Sequence, residues 1–160
     1  MIFFVDRFSL SIKAQDNSPR KLYSIDNSFP YYLGLNPIKI RGRLLENAVA
    51  TTLYLISRHN TGFHFYYWNE NNREVDFVIK YKQQYEAVQV AYSVGAEKTR
   101  EREVTSLLDC CKRLNLGSGE IVTVDYSGEE LLEGISIRYV SADQWIEEKL
   151  KEYDHSFSPS

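Results

Sequence analysis

Two carboxylates with apolar neighbours, Glu46 and Asp76, are the residues of this chain best suited to chemistry. Asp76 lies within Arg73-Glu74-Val75-Asp76-Phe77-Val78-Ile79-Lys80, and a polar turn separates this run from Glu86-Ala87-Val88-Gln89-Val90-Ala91-Tyr92-Ser93. Both arms alternate as β-strands do. The alternation puts Glu74 and Asp76 on one side and Val75, Phe77 and Ile79 on the other. In the second arm Val88, Val90 and Tyr92 share a face, and Ala87, Gln89, Ala91 and Ser93 share the opposite one. Paired through their turn, the arms set a carboxylate face beside small and amide side chains, which suits a metal or a phosphate. Aspartate is a poor strand former, and its desolvation must be offset by a cation, a metal or donated N–H groups. A structural hydrogen bond at a strand end would serve equally. Glu46 falls beside the buried stripe of a helix, where a lone carboxylate is costly unless paired. Its plain alternatives are a place at the rim or a salt bridge with Arg43. Gln89 offers one neutral carbonyl oxygen, which binds Mg²⁺ less strongly than a carboxylate.

The elements that must position these residues follow from periodicity. Ile2–Val5, 8–14 and 21–25 read as short strands, with a turn at Asp16-Asn17-Ser18-Pro19. Residues 29–35 read as a short helical turn. A helix is expected from about Ile40 to His59, with Leu45, Val49, Thr52, Leu53 and Ile56 at helical spacing. The aromatic run Phe63–Trp68 reads as a strand, closed by Asn69-Glu70-Asn71-Asn72. A second helix is expected from about Glu97 to Leu114, carrying the stripe Val104, Leu107, Leu108, Cys111 and Leu114, with Gly117 as its stop. Gly117-Ser118-Gly119 reads as a turn. Ile121–Val124 and Ile135–Val140 read as strands, and Ser141-Ala142-Asp143-Gln144 as a capping box that opens a last helix. The fold class is α/β, a mixed central β-sheet flanked by helices.

With 160 residues, 43% of them hydrophobic, the chain can build one domain with a proper core. The net charge of -3 argues against non-specific attraction to nucleic acid, which grows with the number of phosphates neutralised. Cys110 and Cys111 are adjacent and point apart on a helix, and no metal-binding Cys/His spacing exists. Unpaired thiols imply a reducing compartment. No apolar run reaches the length of a membrane span, and the opening residues lack the features of a signal peptide. These readings predict a cytoplasmic protein with no membrane partner.

Taken in order, Lys21-Leu22-Tyr23-Ser24-Ile25-Asp26-Asn27, Gly42-Arg43-Leu44-Leu45-Glu46-Asn47, Tyr67-Trp68, Glu74-Val75-Asp76-Phe77-Val78-Ile79, Gln89-Val90 and Thr99-Arg100-Glu101-Arg102-Glu103 resemble a C-terminal domain of archaeal and bacterial AAA-type ATPases, catalogued as of unknown function. That domain is in turn similar to the restriction-endonuclease-like, PD-(D/E)XK fold. The resemblance covers about residues 20 to 150. It implies that Glu46 is the acid of the first core helix and Asp76 the metal-binding aspartate of the second core strand. Gln89 then stands where the second strand acid belongs and Ala91 where the lysine belongs, so the ExK element is degenerate. In active members the acids hold Mg²⁺, which activates a water. Here Asp76 and Glu46 would be the metal ligands, with Gln89 a remnant of the catalytic set. Residues 1–18 would be a short β extension left from the segment upstream, 19–152 the nuclease-like domain and 153–160 a tail. The chain would be a truncated homologue or an excised part of a longer protein.

Arg43, Lys80, Lys98, Arg100 and Arg102 are the cations that would contact phosphates; a solvated helix face is the simpler reading for the last three. Lys80 shares the face of Asp76 but lies about 13 Å along the strand, too far to replace the missing lysine. No GxxxxGK[ST] motif is present, so the chain itself should not bind ATP. Three functions follow: an inactive nuclease-like module that binds nucleic acid or a partner, a structural or oligomerisation element of an ATPase, and a weak Mg²⁺-dependent endonuclease. The aromatic Phe63–Trp68 strand suits the second, as a homo-oligomer or against an ATPase domain.

Overall fold

The computed structural model describes residues 1–11, 17–26 and 37–153, the side chains of 37–39 excepted. The expected helical turn at 29–35 lies outside the described residues, as does the expected tail at 153–160 apart from Tyr153, which is buried at the end of the last helix. Two strands, β1 (Ile2–Val5) and β2 (Lys21–Ser24), pair antiparallel as a separate small sheet. Helix α1 (Pro37–His59) follows, then the antiparallel meander β3 (Phe63–Glu70), β4 (Arg73–Tyr81) and β5 (Gln84–Val90). Helix α2 (Glu97–Arg113) crosses to β6 (Ser118–Thr123), which runs parallel to β5. Strands β7 (Gly128–Leu132) and β8 (Ile135–Ser141) and helix α3 (Ala142–Tyr153) complete the fold. The larger sheet is mixed, six-stranded and ordered β3-β4-β5-β6-β8-β7. No helix among the described residues is long and apolar enough to cross a membrane.

The sheet is covered on both faces, so its middle strands are apolar on both. On one face Val49, Leu53 and Ile56 of α1 and Trp145 of α3 pack on Phe77, Ile79, Val88 and Val122. On the other, Val104, Leu107 and Cys111 of α2 pack on Val75, Val78, Ala87 and Ile121. The expected stripes of both long helices thus meet the sheet. Helix α3 opens at Ala142, with the Gln144 backbone N–H directed at Ser141 Oγ, 3.4 Å away, but the Gln144 side chain donates to Glu148 and leaves the expected capping box half-formed.

Several local expectations are corrected. Residues 8–11 form no strand; an isolated parallel bridge joins Arg7 to Tyr67, and the Phe8 ring meets Tyr66 and Tyr85 edge-on; 12–16 lie outside the described residues. Helix α2 is stopped by Asn115 rather than Gly117. Asn115 takes the left-handed conformation at φ 56°, its N–H bonds Lys112 O, and the Leu116 N–H bonds Cys111 O, a Schellman ending. Gly119 lies inside β6 rather than in a turn. Strand β7 was absent from the sequence reading; it forms a hairpin with β8 across Glu133 and Gly134, both with positive φ. The tight turn between β3 and β4 is Asn71-Asn72, both left-handed, as a two-residue hairpin requires.

Gly119 marks the closest approach of α2 to the sheet. A Cβ there would sit 2.9 Å from Leu107 Cγ and 3.0 Å from Cys111 Sγ. Gly119→Ala should therefore destabilise the protein by about 1–3 kcal/mol in urea denaturation. An unchanged midpoint would mean that the helix packs less tightly on β6.

Candidate functional site: an acidic pocket closed by Lys21

One irregularity aims the site. In the β3–β4 ladder Tyr66 pairs with Val78 but Trp68 with Val75, so Tyr67 alone opposes both Asp76 and Phe77. This β-bulge breaks the alternation and turns Asp76 and Phe77 to the same face. Glu74 and Asp76 do share a side, as the alternation predicts, but Phe77 and Ile79 join them there while Val75 packs against α2. The β4–β5 ladder ends at Phe77↔Val88. Beyond it the strands are joined through side chains: the Val90 N–H donates to Asp76 Oδ2 at 3.0 Å, and the Asp76 N–H donates to Gln89 Oε1 at 2.9 Å.

The acids converge on a cation that the sequence reading did not single out. Lys21 and Tyr23 alternate with Leu22 on β2 and point inward, toward α1 and the bulge. Lys21 Nζ lies 2.6 Å from Glu74 Oε1, 3.2 Å from Asp76 Oδ1 and 3.4 Å from Glu46 Oε1. The Tyr23 hydroxyl donates to the same Glu46 oxygen at 2.6 Å. The next residue of α1, Asn47, accepts from the Ser24 N–H at 2.9 Å and donates to the Ser24 carbonyl. Neighbouring helix residues Glu46 and Asn47 thus hold alternate residues of β2 by side chain and by backbone.

Three carboxylates around one ammonium leave a negative excess in a desolvated place. Asp76 is 8% exposed. Burial first, and then the Glu46 charge, push its carboxyl up to about 7, against the pull of Lys21 and the Val90 N–H. Burial alone would lower the Lys21 ammonium, but Asp76, Glu46 and Glu74 together raise it, so Lys21 stays charged and cannot act as a base. Burial and Glu46 likewise raise the Tyr23 phenol and keep it an O–H donor.

Glu46 and Asp76 are therefore brought together, and Gln89 is placed behind them. Its Oε1 accepts from the Asp76 backbone, and its Nε2 donates to Glu74 O at 3.4 Å and to the buried Glu103 on α2. Glu103 in turn pairs with Arg102 at 2.6 Å. The other expected phosphate contacts scatter. Arg100 is engaged by Glu130 and Tyr139 across β7–β8, and Lys80 lies over the Tyr85 ring at the far end of β4. Arg43 and Lys98 are exposed on separate helices. Among the described residues no ring of basic side chains surrounds Asp76.

The donor set does not fit a divalent ion. Glu46 Oε1 and Asp76 Oδ1 are engaged by Lys21, Asp76 Oδ2 by Val90, and the Gln89 oxygen by the backbone. Among the described residues no group of three or more His, Cys, Asp or Glu side chains is arranged to hold a metal. The arrangement can neutralise, orient and lock.

Residues 41–142 match the family model described as a domain of unknown function, DUF4143. The chain belongs to this family. DUF4143 is a C-terminal domain associated with AAA-type ATPases. No curated protein matches the chain. The matched stretch contains Glu46, Glu74 and Asp76, whereas Lys21 and Tyr23 precede it.

Replacing Lys21 by Met should cost about 1–3 kcal/mol, because it leaves the buried Asp76 and the half-buried Glu46 and Glu74 without their cation. Equilibrium denaturation checks this, and a loss below about 0.5 kcal/mol would fit only an exposed pair. The raised Asp76 pKa sets a pH dependence. The folded state holds that proton more tightly than the unfolded chain, so the associated stability is full below the ordinary value of 3.8 and is lost as pH rises through about 7. Relative to Asp76→Asn, the unsubstituted protein should lose stability from pH 4 to 8, at up to about 1.4 kcal/mol per pH unit. Parallel stability profiles would contradict the assignment.

Proposed function

We propose that this DUF4143 domain is a non-catalytic structural module of the AAA-type ATPases with which its family is associated, built on a decayed restriction-endonuclease-like scaffold. The observation that carries the reading is the Lys21 ammonium held among Glu46, Glu74 and Asp76, where a hydrolytic site of this kind would hold its metal. The helix, three-stranded meander, helix and parallel strand of the core support the scaffold, as do helices on both faces of a mixed sheet. Gln89 in a backbone-bonded role and Ala91 without a functional group support the loss of chemistry.

A protein contact fits better than a nucleic-acid contact. The net charge is -3, and Arg100 and Arg102 are paired with acids. The outer face of β1–β2, by contrast, exposes Ile2, Phe4 and Leu22 side by side. Such an apolar strip suits an apolar surface of the ATPase. The Lys21 lock then has a mechanical purpose, since it fixes this hairpin to α1 and the sheet.

Incubation with duplex, single-stranded and branched DNA in Mg²⁺ or Mn²⁺ tests the reading. No cleavage and no retention of DNA at physiological salt are expected. Cleavage that disappears in Asp76→Ala would overturn it.

A further inference from the structure

Among the described residues, two buried side-chain nitrogens have no hydrogen-bond partner: Arg7 Nε and Trp68 Nε1. Both residues line one cavity of about 230 Å³. It lies at the corner where residues 7–11 leave β3 beside the C-terminal end of α2, on the sheet face opposite the Lys21 site. The coincidence matters because buried polar groups are nearly always paired, and each exception calls for a cause. Trp68 is 3% exposed, and its ring is fixed in the α2-facing core. Arg7 is fixed too, by its bridge to Tyr67 and by the bond from its Nη2 to Asn69 O. Two N–H donors without an acceptor therefore belong to residues that line one cavity.

We infer that this cavity binds a small carboxylate with an apolar body, the carboxylate accepting from Arg7 Nε and Trp68 Nε1. The apolar part would lie against Phe8 and Leu114, which line the same space. Charge selects a monoanion. Arg113 at the wall is already paired with Glu70 at 3.2 Å, so the positive charge left over is that of Arg7 alone. Size excludes a nucleotide, since sites for drug-sized ligands span about 300–1,000 Å³. A free organic acid and the C-terminal carboxylate of a peptide present the same chemistry.

The indole N–H resonances of the two tryptophans provide the test. In ¹H–¹⁵N spectra of the full chain, phenylacetate should shift the Trp68 peak saturably, the peak being assigned by its loss in Trp68→Phe. The Trp145 peak is an internal control, because its Nε1 already donates to Glu120 at 2.8 Å and should stay in place. 2-Phenylethanol, with the same body and no carboxylate, should leave Trp68 unmoved. The tripeptide Ala-Ala-Phe with a free C terminus distinguishes a chain end from a free acid, and saturation by either upholds carboxylate recognition. Arg7→Gln should weaken binding about tenfold or more, as loss of a charge-assisted bond implies. Should that variant fail to fold, the titrations of the unsubstituted protein decide alone. No saturable shift with either carboxylate, or an equal shift with the alcohol, overturns the inference.

Discussion

A half-buried ammonium set among three carboxylates, one of them buried, is the constraint on which the rest of this domain depends. Lys21 comes from a two-stranded sheet, Glu46 from the first long helix, and Glu74 and Asp76 from the bulged strand of the main sheet. Their contact ties three separate pieces of the chain together. Removing Lys21 leaves three carboxylates without their cation, the buried Asp76 among them, so the pieces are stable only when assembled. The bulge opposite Tyr67 makes this geometry attainable by aiming Asp76 at the helix rather than across the sheet. The break in β4–β5 pairing beyond Phe77 then frees the Val90 amide to meet the second oxygen of Asp76.

On the proposed reading, the same arrangement would silence a metal site without any large change of fold. Carboxylates gathered by a strand and a helix would ordinarily attract a hard cation. An ammonium satisfies the same electrostatic demand, but it brings no Lewis acidity and activates no water. On that reading an acid at position 89 would have no purpose once a lysine fills the role. The amide found there bonds the Asp76 backbone and Glu103, which ties the β4–β5 junction to α2. Burial, and after it the Glu46 charge, leaves Asp76 prone to hold a proton near neutrality.

Much of the fold was legible because periodicity is local. The stripes of Val49, Leu53 and Ile56 and of Val104, Leu107 and Cys111 announced both long helices and their buried faces. The apolar run at Ile121 announced a central strand. What stayed hidden depends on contacts distant in sequence or on single backbone angles. Lys21 lies far from Asp76 in the chain, and nothing in Lys21-Leu22-Tyr23-Ser24 states its partner, although the inward pair Lys21 and Tyr23 was a usable signal. The bulge left no mark, so Phe77 and Ile79 were assigned to the wrong face. Strand β7 escaped because Glu129-Glu130 at a sheet edge breaks the alternation expected of a strand. Asn115 rather than Gly117 ended α2 because asparagine also tolerates the left-handed conformation. In the site, Glu46 and Asp76 were legible as costly anions, whereas the direction of the Gln89 amide was not.

A double-mutant cycle on Lys21 and Asp76 tests the central claim most directly. Denaturation free energies of the unsubstituted protein, Lys21→Met, Asp76→Asn and the double variant, all at pH 8, yield the interaction between the two side chains. A favourable coupling of about 1–3 kcal/mol is expected, with the double variant more stable than the two separate losses would predict. Additive effects within about 0.3 kcal/mol would mean that Lys21 is not the cation that holds Asp76 in place.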